Sequence, residues 1–379
     1  MKSACRVIHI IGGGEFGGAE DHIIHLLKEL KNENMNPLVV CFYDSIFAEY
    51  LREQGIRVKV LDYGRFDLRL LFALMKLLKE ENPDIVHTHG VKANFFGRIA
   101  AKRVGISPVV TTVHSILKYD YEHPIAYRLA YMLERSTRDL TDYFIAISNK
   151  IQDQLLEDGI NSSKVQIIHH GIDTNKFAPR NDQKALELAE EWGKSSDTFL
   201  IGAIGRIQAV KGFDNFVRAC SELHKVYPDS FRFVLIGDGS HRKELEQLVE
   251  RENIQDVFTF AGFRGNIDSC LRALDCYVSS SLSEGLGLSV MEALSTGVPV
   301  VTTGVGGVKD FAKDEDNSLV VEPKSVSQLT EAIERIYKDD DLKRKLTDQG
   351  RNDIISTFSL KTMGENTAYY YRKWLETNN

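Results

Sequence analysis

Ser279-Ser280-Ser281-Leu282-Ser283-Glu284-Gly285-Leu286-Gly287-Leu288-Ser289-Val290-Met291-Glu292-Ala293-Leu294 is the stretch on which the reading of this chain turns. A β-branched run ends at its first serines, glycines interrupt it, and an apolar run of helical period follows. A strand end, a tight turn and a helix start in that order expose Glu284 and several backbone N–H groups at the helix mouth, where negative groups are favoured. Glu292 follows with seven residues between, about two helical turns deeper. Two acceptors so placed suit sugar and ribose hydroxyls, while the amides suit phosphate. Two glutamates at this spacing also occur on solvated helix faces. The glycines and the preceding strand set this pair apart.

The same strand-to-helix rhythm extends in both directions. Strands are expected at 6–11, 37–43, 56–61, 84–88, 108–113, 143–147 and 165–169, with helical stretches such as 19–31, 67–81 and 91–103 between them. After a charged stretch from Arg180 to Lys194 the rhythm restarts at 198–204, 231–236, 257–260, 275–279, 298–303 and 318–321. Alternation of this kind predicts parallel α/β sheets, and 379 residues exceed one ordinary core. The expected organisation is a Rossmann-like domain at 1–178, a second at 179–357, and a terminal helix at 358–379 that packs on one of them. Doubly wound sheets bind ligands at the carboxyl ends of their strands.

Gly12-Gly13-Gly14-Glu15-Phe16-Gly17 follows the first strand and matches G-x-G-x-x-G, with Asp44 after the second strand. A dinucleotide-binding dehydrogenase is therefore a rival reading, although Asp44 stands farther on than the roughly 20 residues such a motif expects. The glycines allow close backbone approach to a phosphate or sugar, or form a plain tight turn. In the second half, Gly205-Arg206 and then Lys211-Gly212 follow the strand at 198–204. The two cations suit a diphosphate whose negative charge grows as a glycosidic bond breaks; the alternative is a pair of solvated surface cations.

Taken together these segments resemble the retaining glycosyltransferases of family 4, with the GT-B fold of two Rossmann-like domains facing across a cleft. The resemblance covers almost the whole chain. It is carried by Gly17-Gly18-Ala19-Glu20, Asp84-Ile85-Val86-His87-Thr88-His89, Thr112-Val113-His114, His170-Gly171-Ile172-Asp173, Gly205-Arg206 with Lys211-Gly212, Gly237-Asp238-Gly239, and Glu284 and Glu292 followed by Gly297-Val298-Pro299. It implies that Arg206 and Lys211, beside Gly205, hold the diphosphate of a nucleotide-sugar donor. It further implies that Glu284 with Leu286, Gly287 and Leu288 holds the transferred sugar, that Glu292 binds the ribose, and that Phe263 and Arg264 flank the base. His114 is expected beside the donor sugar, and the loop at Gly14, Gly17 and Gly18 near phosphate and acceptor. Ser115, His170 and Asp310 stand where Asp or Gly, Asn and Glu are usual in the family. The implied activity is metal-independent, retaining hexosyl transfer with no cofactor beyond the nucleotide sugar, to a glycan, lipid-linked or small-molecule acceptor in surface polysaccharide or glycolipid assembly. An epimerase or phosphorylase on the same fold and a non-catalytic subunit are the other readings.

Remaining features set the surroundings. A net charge of −7 speaks against nucleic-acid binding, which calls for clustered cations. Five scattered cysteines without a C-x-x-C pair indicate neither a disulfide framework nor zinc. With no signal peptide or membrane-length apolar run, a cytoplasmic protein is expected. His87 and His89 alternate at a strand end without a third ligand at metal spacing, so a satisfied polar pair is expected. Asp314-Glu315-Asp316 and Asp339-Asp340-Asp341 contain D-x-D but lie away from the strand ends assigned to the donor, and read as a polar turn and a helix cap. Finally, Ile85 to Tyr119 holds no acid, while Lys92, Arg98, Lys102 and Arg103 interleave with Phe95 and Phe96. That helix either touches an anionic membrane at the inner face of the cell or buries its aromatics with the cations in solvent.

Overall fold

A computed structural model describes residues 5–14, 18–64, 67–120 and 123–378. The chain divides into two compact units, Met1–Gly171 with Leu360–Asn379, and Ile172–Ser359.

In the first unit β1 (Cys5–Ile11), β2 (Met35–Cys41), β3 (Arg57–Val60), β4 (Ile85–His89), β5 (Val109–Val113), β6 (Tyr143–Ala146) and β7 (Val165–Ile167) form a parallel sheet in the order β3-β2-β1-β4-β5-β6-β7. Its helices are α1 (Gly18–Asn32), α2 (Ile46–Glu53), α3 (Arg69–Glu81), α4 (Val91–Val104), α5 (Leu117–Asp120), α6 (Pro124–Thr137) and α7 (Asn149–Glu157). Side chains alternate between sheet faces. Ile8, Ile10, Leu38, Val40 and Val86 therefore meet Leu70, Leu74 and Leu77 of α3 and Phe96 and Ala100 of α4. Gly97 lets α4 ride close over β4, since a Cβ there would lie 2.7 Å from the Thr88 methyl. On the other face Val7, Ile85, Val110 and Ile145 meet Leu26 and Leu30 of α1. They also meet Met363, Ala368, Tyr371 and Trp374 of the last helix, Leu360–Asn378, which belongs to this unit. Trp374 stacks on Tyr143 with ring centres 4.6 Å apart.

In the second unit β8 (Phe199–Ile204), β9 (Phe231–Ile236), β10 (Phe258–Gly262), β11 (Cys276–Ser279), β12 (Val300–Thr303) and β13 (Leu319–Val321) form a parallel sheet in the order β10-β9-β8-β11-β12-β13. Around it lie α8 (Gln183–Glu191), α9 (Phe213–Val226), α10 (Arg242–Arg251), α11 (Ile267–Ala273), α12 (Leu288–Thr296), α13 (Val326–Lys338) and α14 (Asp340–Thr357), after which the terminal helix is α15. The charged stretch Arg180 to Lys194 is no linker. Asp182 accepts hydrogen bonds from the N–H groups of Lys184 and Ala185 and starts α8, which buries Ala185, Leu188 and Ala189. Both D-x-D segments hold structural contacts: Asp314 accepts from the Val320 N–H, and Asp339 caps α14.

Chain order reverses about β1 and β4 in the first sheet and about β8 and β11 in the second. Such reversals splay the crossover connections apart and leave a crevice at the carboxyl ends of the strands.

Candidate active site

At the second crevice the loops after β8 and β11 are stitched together. The Leu282 N–H donates to the Val210 carbonyl (2.7 Å), and the Ser280 hydroxyl donates to the Lys211 carbonyl (3.2 Å). Gly212 turns between them with φ +59°, where a Cβ would lie 2.3 Å from the Ser280 oxygen. This stitching brings the Lys211 ammonium 2.7 Å from Glu284 Oε1, which also accepts from the Ser281 hydroxyl at 2.6 Å. The two side chains are only 22% and 11% exposed, so the pair sits in a screened but reachable place. Behind Glu284, Gly306 (φ +55°) backs so closely that a Cβ there would lie 1.8 Å from the Glu284 carbonyl oxygen.

Gly287, at φ +88°, opens α12, with Leu286 buried beside it. Leu288 is the first residue of that helix and Glu292 lies one face down, partly buried. Tyr277 marks their common neighbourhood. Burial pushes its phenol well up, and the charges of Glu284 and Glu292 act the same way; its hydroxyl donates to Ser289 (2.9 Å). Gly205 and exposed Arg206 follow β8 at the same sheet edge. Phe263 follows β10 and is 82% exposed, whereas Arg264 is held by the Ala261 carbonyl and the Glu191 carboxylate. Among the sequence-derived donor residues, the structure thus joins Lys211 and Glu284 directly and strings Gly205, Arg206, Phe263 and the start of α12 along one edge.

At the first crevice, Gly12 to Gly14, His89 and His114 line a cavity of about 800 Å³. Gly18 begins α1, and Gly17 lies outside the described residues. Asp44, the ribose acid of the dehydrogenase reading, pairs instead with Arg52 at 3.0 Å. Other walls of the cavity come from Tyr43, Lys92, Tyr127, Tyr131, Glu134, Arg138 and Lys150. Tyr127, Tyr131 and Glu134 belong to α6, an element that periodicity alone leaves unassigned; Pro124 at its first turn and His123 before it are the start signal available in the sequence.

The expectation that His87 and His89 lack a third partner is corrected. His9 on β1 stands in register with His87 on β4, on the same sheet face, and the three rings place one nitrogen each within 4.8 Å of the others. Sequence spacing hides this because the strands are joined by the sheet rather than by the chain. Hydrogen bonds run from His9 Nδ1 to His89 Nε2 (3.1 Å), His89 Nδ1 to His114 Nε2 (3.0 Å) and His114 Nδ1 to His170 Nε2 (3.2 Å). His87 is engaged by Tyr371 (2.5 Å) and Thr112 (2.7 Å), and His22 stacks on His170 at 3.9 Å. His170, where the family often has Asn, extends this row. Burial pushes His9 down to about 3 and His114 to about 4, and drives His22, His87, His89 and His170 well below their ordinary value. All six are neutral near pH 7, as their burial against α1 and α15 requires.

The basic helix is also corrected. Arg98 is fully buried, bound to Glu134 at 2.6 Å and to Thr111, and Lys102 pairs with Asp142 at 2.7 Å. Lys92 lies over the Tyr43 ring inside the cavity. Neither a membrane-facing row nor a solvated one exists, because acids distant in sequence fold onto the acid-free segment; Arg103 alone of the four is exposed. No helix among the described residues is long and apolar enough to cross a membrane.

Comparison with known proteins agrees with this geometry. Residues 16–176 match the model described as Glycosyltransferase Family 4, and residues 185–353 that described as Glycosyl transferases group 1. The chain is 30% identical over 94% of both lengths to a UDP-Gal:alpha-D-GlcNAc-diphosphoundecaprenol alpha-1,3-galactosyltransferase of Escherichia coli. It is 24% identical to an N-acetyl-alpha-D-glucosaminyl L-malate synthase of Bacillus anthracis, over 82% of this chain and 81% of that one. Anabaena HepE, solved in complex with UDP, superposes with a TM-score of 0.85 at 22% identity over 97% of this chain and all of that one. Two parallel α/β units, a cation and a carboxylate joined at a sheet crevice, and a 30% identical relative along nearly the whole length lead to one conclusion: the chain belongs to the GT-B glycosyltransferases of the family 4 type.

Proposed function

We propose that the enzyme transfers a hexosyl group from a nucleoside-diphosphate sugar with retention of anomeric configuration and without a catalytic metal. The observation that carries this reading is the Lys211–Glu284 contact at 2.7 Å, a cation and an acceptor held at one strand edge with Arg206 nearby. Donor diphosphate draws Lys211 and Arg206 to its oxygens, and the released Glu284 carboxylate accepts from the sugar hydroxyls. Glu292 takes the ribose, Phe263 stacks on the base, and the amides at Gly287 and Leu288 face the sugar. As the anomeric C–O bond breaks, its electron pair moves to the diphosphate, where the two cations stabilise it. The acceptor hydroxyl adds to the same face and its proton passes to the departing phosphate oxygen. His114, both nitrogens held by neighbouring histidines, serves as a fixed neutral wall at the acceptor cavity.

UDP sugars are the first donors to try, since the Escherichia coli relative is named for UDP-Gal and HepE was solved with UDP. Five unpaired cysteines suit a reducing, cytoplasmic setting at the inner face of the cell membrane. The experiment is donor turnover over a panel of nucleotide sugars, with anomeric configuration of the product read by NMR and excess chelator in a parallel arm. Retained configuration and undiminished rate in chelator are expected; inversion, or loss restored by Mg²⁺ or Mn²⁺, refutes the reading.

A further inference from the structure

Resting on the transferase reading, we propose that His9, His89 and His170 are positioning residues that lock His114 as the tautomer protonated on Nδ1, so that neither of its nitrogens can take the acceptor's proton. The bonding pattern is the first argument. His9, His89, His114 and His170 join head to tail, Nδ1 of each ring meeting Nε2 of the next at 3.1, 3.0 and 3.2 Å. The first two rings lie within 12° of one plane, which suits a bond between ring nitrogens. A neutral imidazole has one N–H and one lone pair. Each link therefore takes a proton from one side only, and the choice at any ring forces the same choice on the other three. Two states satisfy every link: all rings protonated on Nδ1, or all on Nε2. His87 stands outside the row, its nitrogens spent on the hydroxyls of Tyr371 and Thr112.

The buried end of the row chooses between them. His9 is fully buried, and its Nε2 has no hydrogen-bond partner among the described residues. Protonation on Nε2 throughout strands an N–H at that end, whereas protonation on Nδ1 throughout strands only a lone pair. A buried N–H without an acceptor is the rarer defect in folded proteins. Donation thus runs one way, from His9 through His89 and His114 to His170, as neighbouring hydrogen bonds commonly fix a histidine tautomer. His89 and His114 both line the cavity, and His114 is the more open of the two. With its Nε2 filled by the His89 N–H and its Nδ1–H spent on His170, His114 offers the cavity a neutral ring of fixed plane. A free lone pair there would compete with the departing phosphate for the acceptor proton and leave an imidazolium beside a sugar that turns positive as its bond breaks. His22 of α1 packs the row in place, stacked on His170 at 3.9 Å and edge-on to His114 at 5.2 Å.

The test is nitrogen NMR of the full chain with isotope-labelled histidines at neutral pH. All four rings of the row should show a protonated Nδ1 and a bare Nε2, the reverse of free histidine in water; an Nε2 proton on any of them overturns the proposal. His89→Asp, whose side chain can only accept, should move the His114 proton to Nε2 and lower kcat at least about tenfold with nucleotide affinity unchanged. His89→Ala, which lets cavity water reach the same nitrogen, should do likewise without burying a charge. His89→Asn, whose amide can donate to His114 and accept from His9, should restore the Nδ1 proton and most of the kcat that the other two variants lose. Thermal unfolding of the three separates a lost fold from a lost tautomer. Failure of His89→Asn to rescue, a His114 tautomer indifferent to position 89, or a moved proton with undiminished kcat would each overturn the proposal. A parent without transfer on any donor would defeat the transferase reading instead, and the nitrogen signals of the four rings would still decide the row.

Discussion

Lowering the pH from 7.5 to 5.0 should destabilise the first unit through its buried histidines, and the size of the effect can be worked from the structure. In the unfolded chain a histidine titrates near its ordinary 6.5, whereas burial holds His9 near 3 and His114 near 4 in the fold. Between these values the unfolded state binds protons that the folded state refuses, so stability is complete above about pH 6.5 and falls as pH drops toward 4. Each pH unit in that window costs about 1.4 kcal/mol per histidine, so by pH 5 each of the two removes about 2 kcal/mol. About 4 kcal/mol for the pair is a large part of the roughly 5–15 kcal/mol that holds a domain together. His22, His87, His89 and His170 are shifted the same way and add to it. The window stops at pH 5 because carboxyl groups of the unfolded chain begin to protonate below it. Trp374 lies in the first unit and Trp192 in the second, so urea unfolding of a Trp192→Phe variant reports the first unit by fluorescence. A midpoint unchanged between pH 7.5 and 5.0, or an NMR titration in which His114 protonates near 6.5, would refute the reasoning.

Three further outcomes follow from the packing. Glu284→Gln should lower kcat while nucleotide affinity stays nearly intact, whereas Glu292→Gln should weaken nucleotide binding by about 1–2 kcal/mol for a lost charged hydrogen bond; calorimetry and steady-state kinetics on both variants decide, and a reversed pattern exchanges the two roles. Gly306→Ala should cripple turnover, because its Cβ would meet the Glu284 carbonyl at 1.8 Å with φ at +55°. Wild-type rates in that variant would show that the loop yields without moving the carboxylate. Trp374→Ala should destabilise the first unit by about 3–5 kcal/mol, since the indole is buried on Tyr143; denaturation followed by circular dichroism measures it.

Periodicity and turn chemistry determined a great deal. Every strand read from the sequence forms: central parallel strands buried on both faces announce themselves as continuous apolar segments, and the half-exposed edge strand β3 as an alternating one. The segment from Ser279 to Leu294 folds as a strand end, a glycine turn and a helix, since Gly287 at φ +88° serves a position that other residues resist. What needed the third dimension is whatever strand order and long-range pairing decide. Lys211 and Glu284 lie 73 positions apart yet meet because β8 and β11 are neighbours in the sheet. His9 joins His87 and His89 only through the register of β1 with β4. Arg98 reads as a surface cation until Glu134 of α6, distant along the chain, folds over it. Local sequence encodes dihedral preference and which face is apolar; which charge meets which is settled by the order in which the sheet assembles its strands, and no short window of residues contains that order.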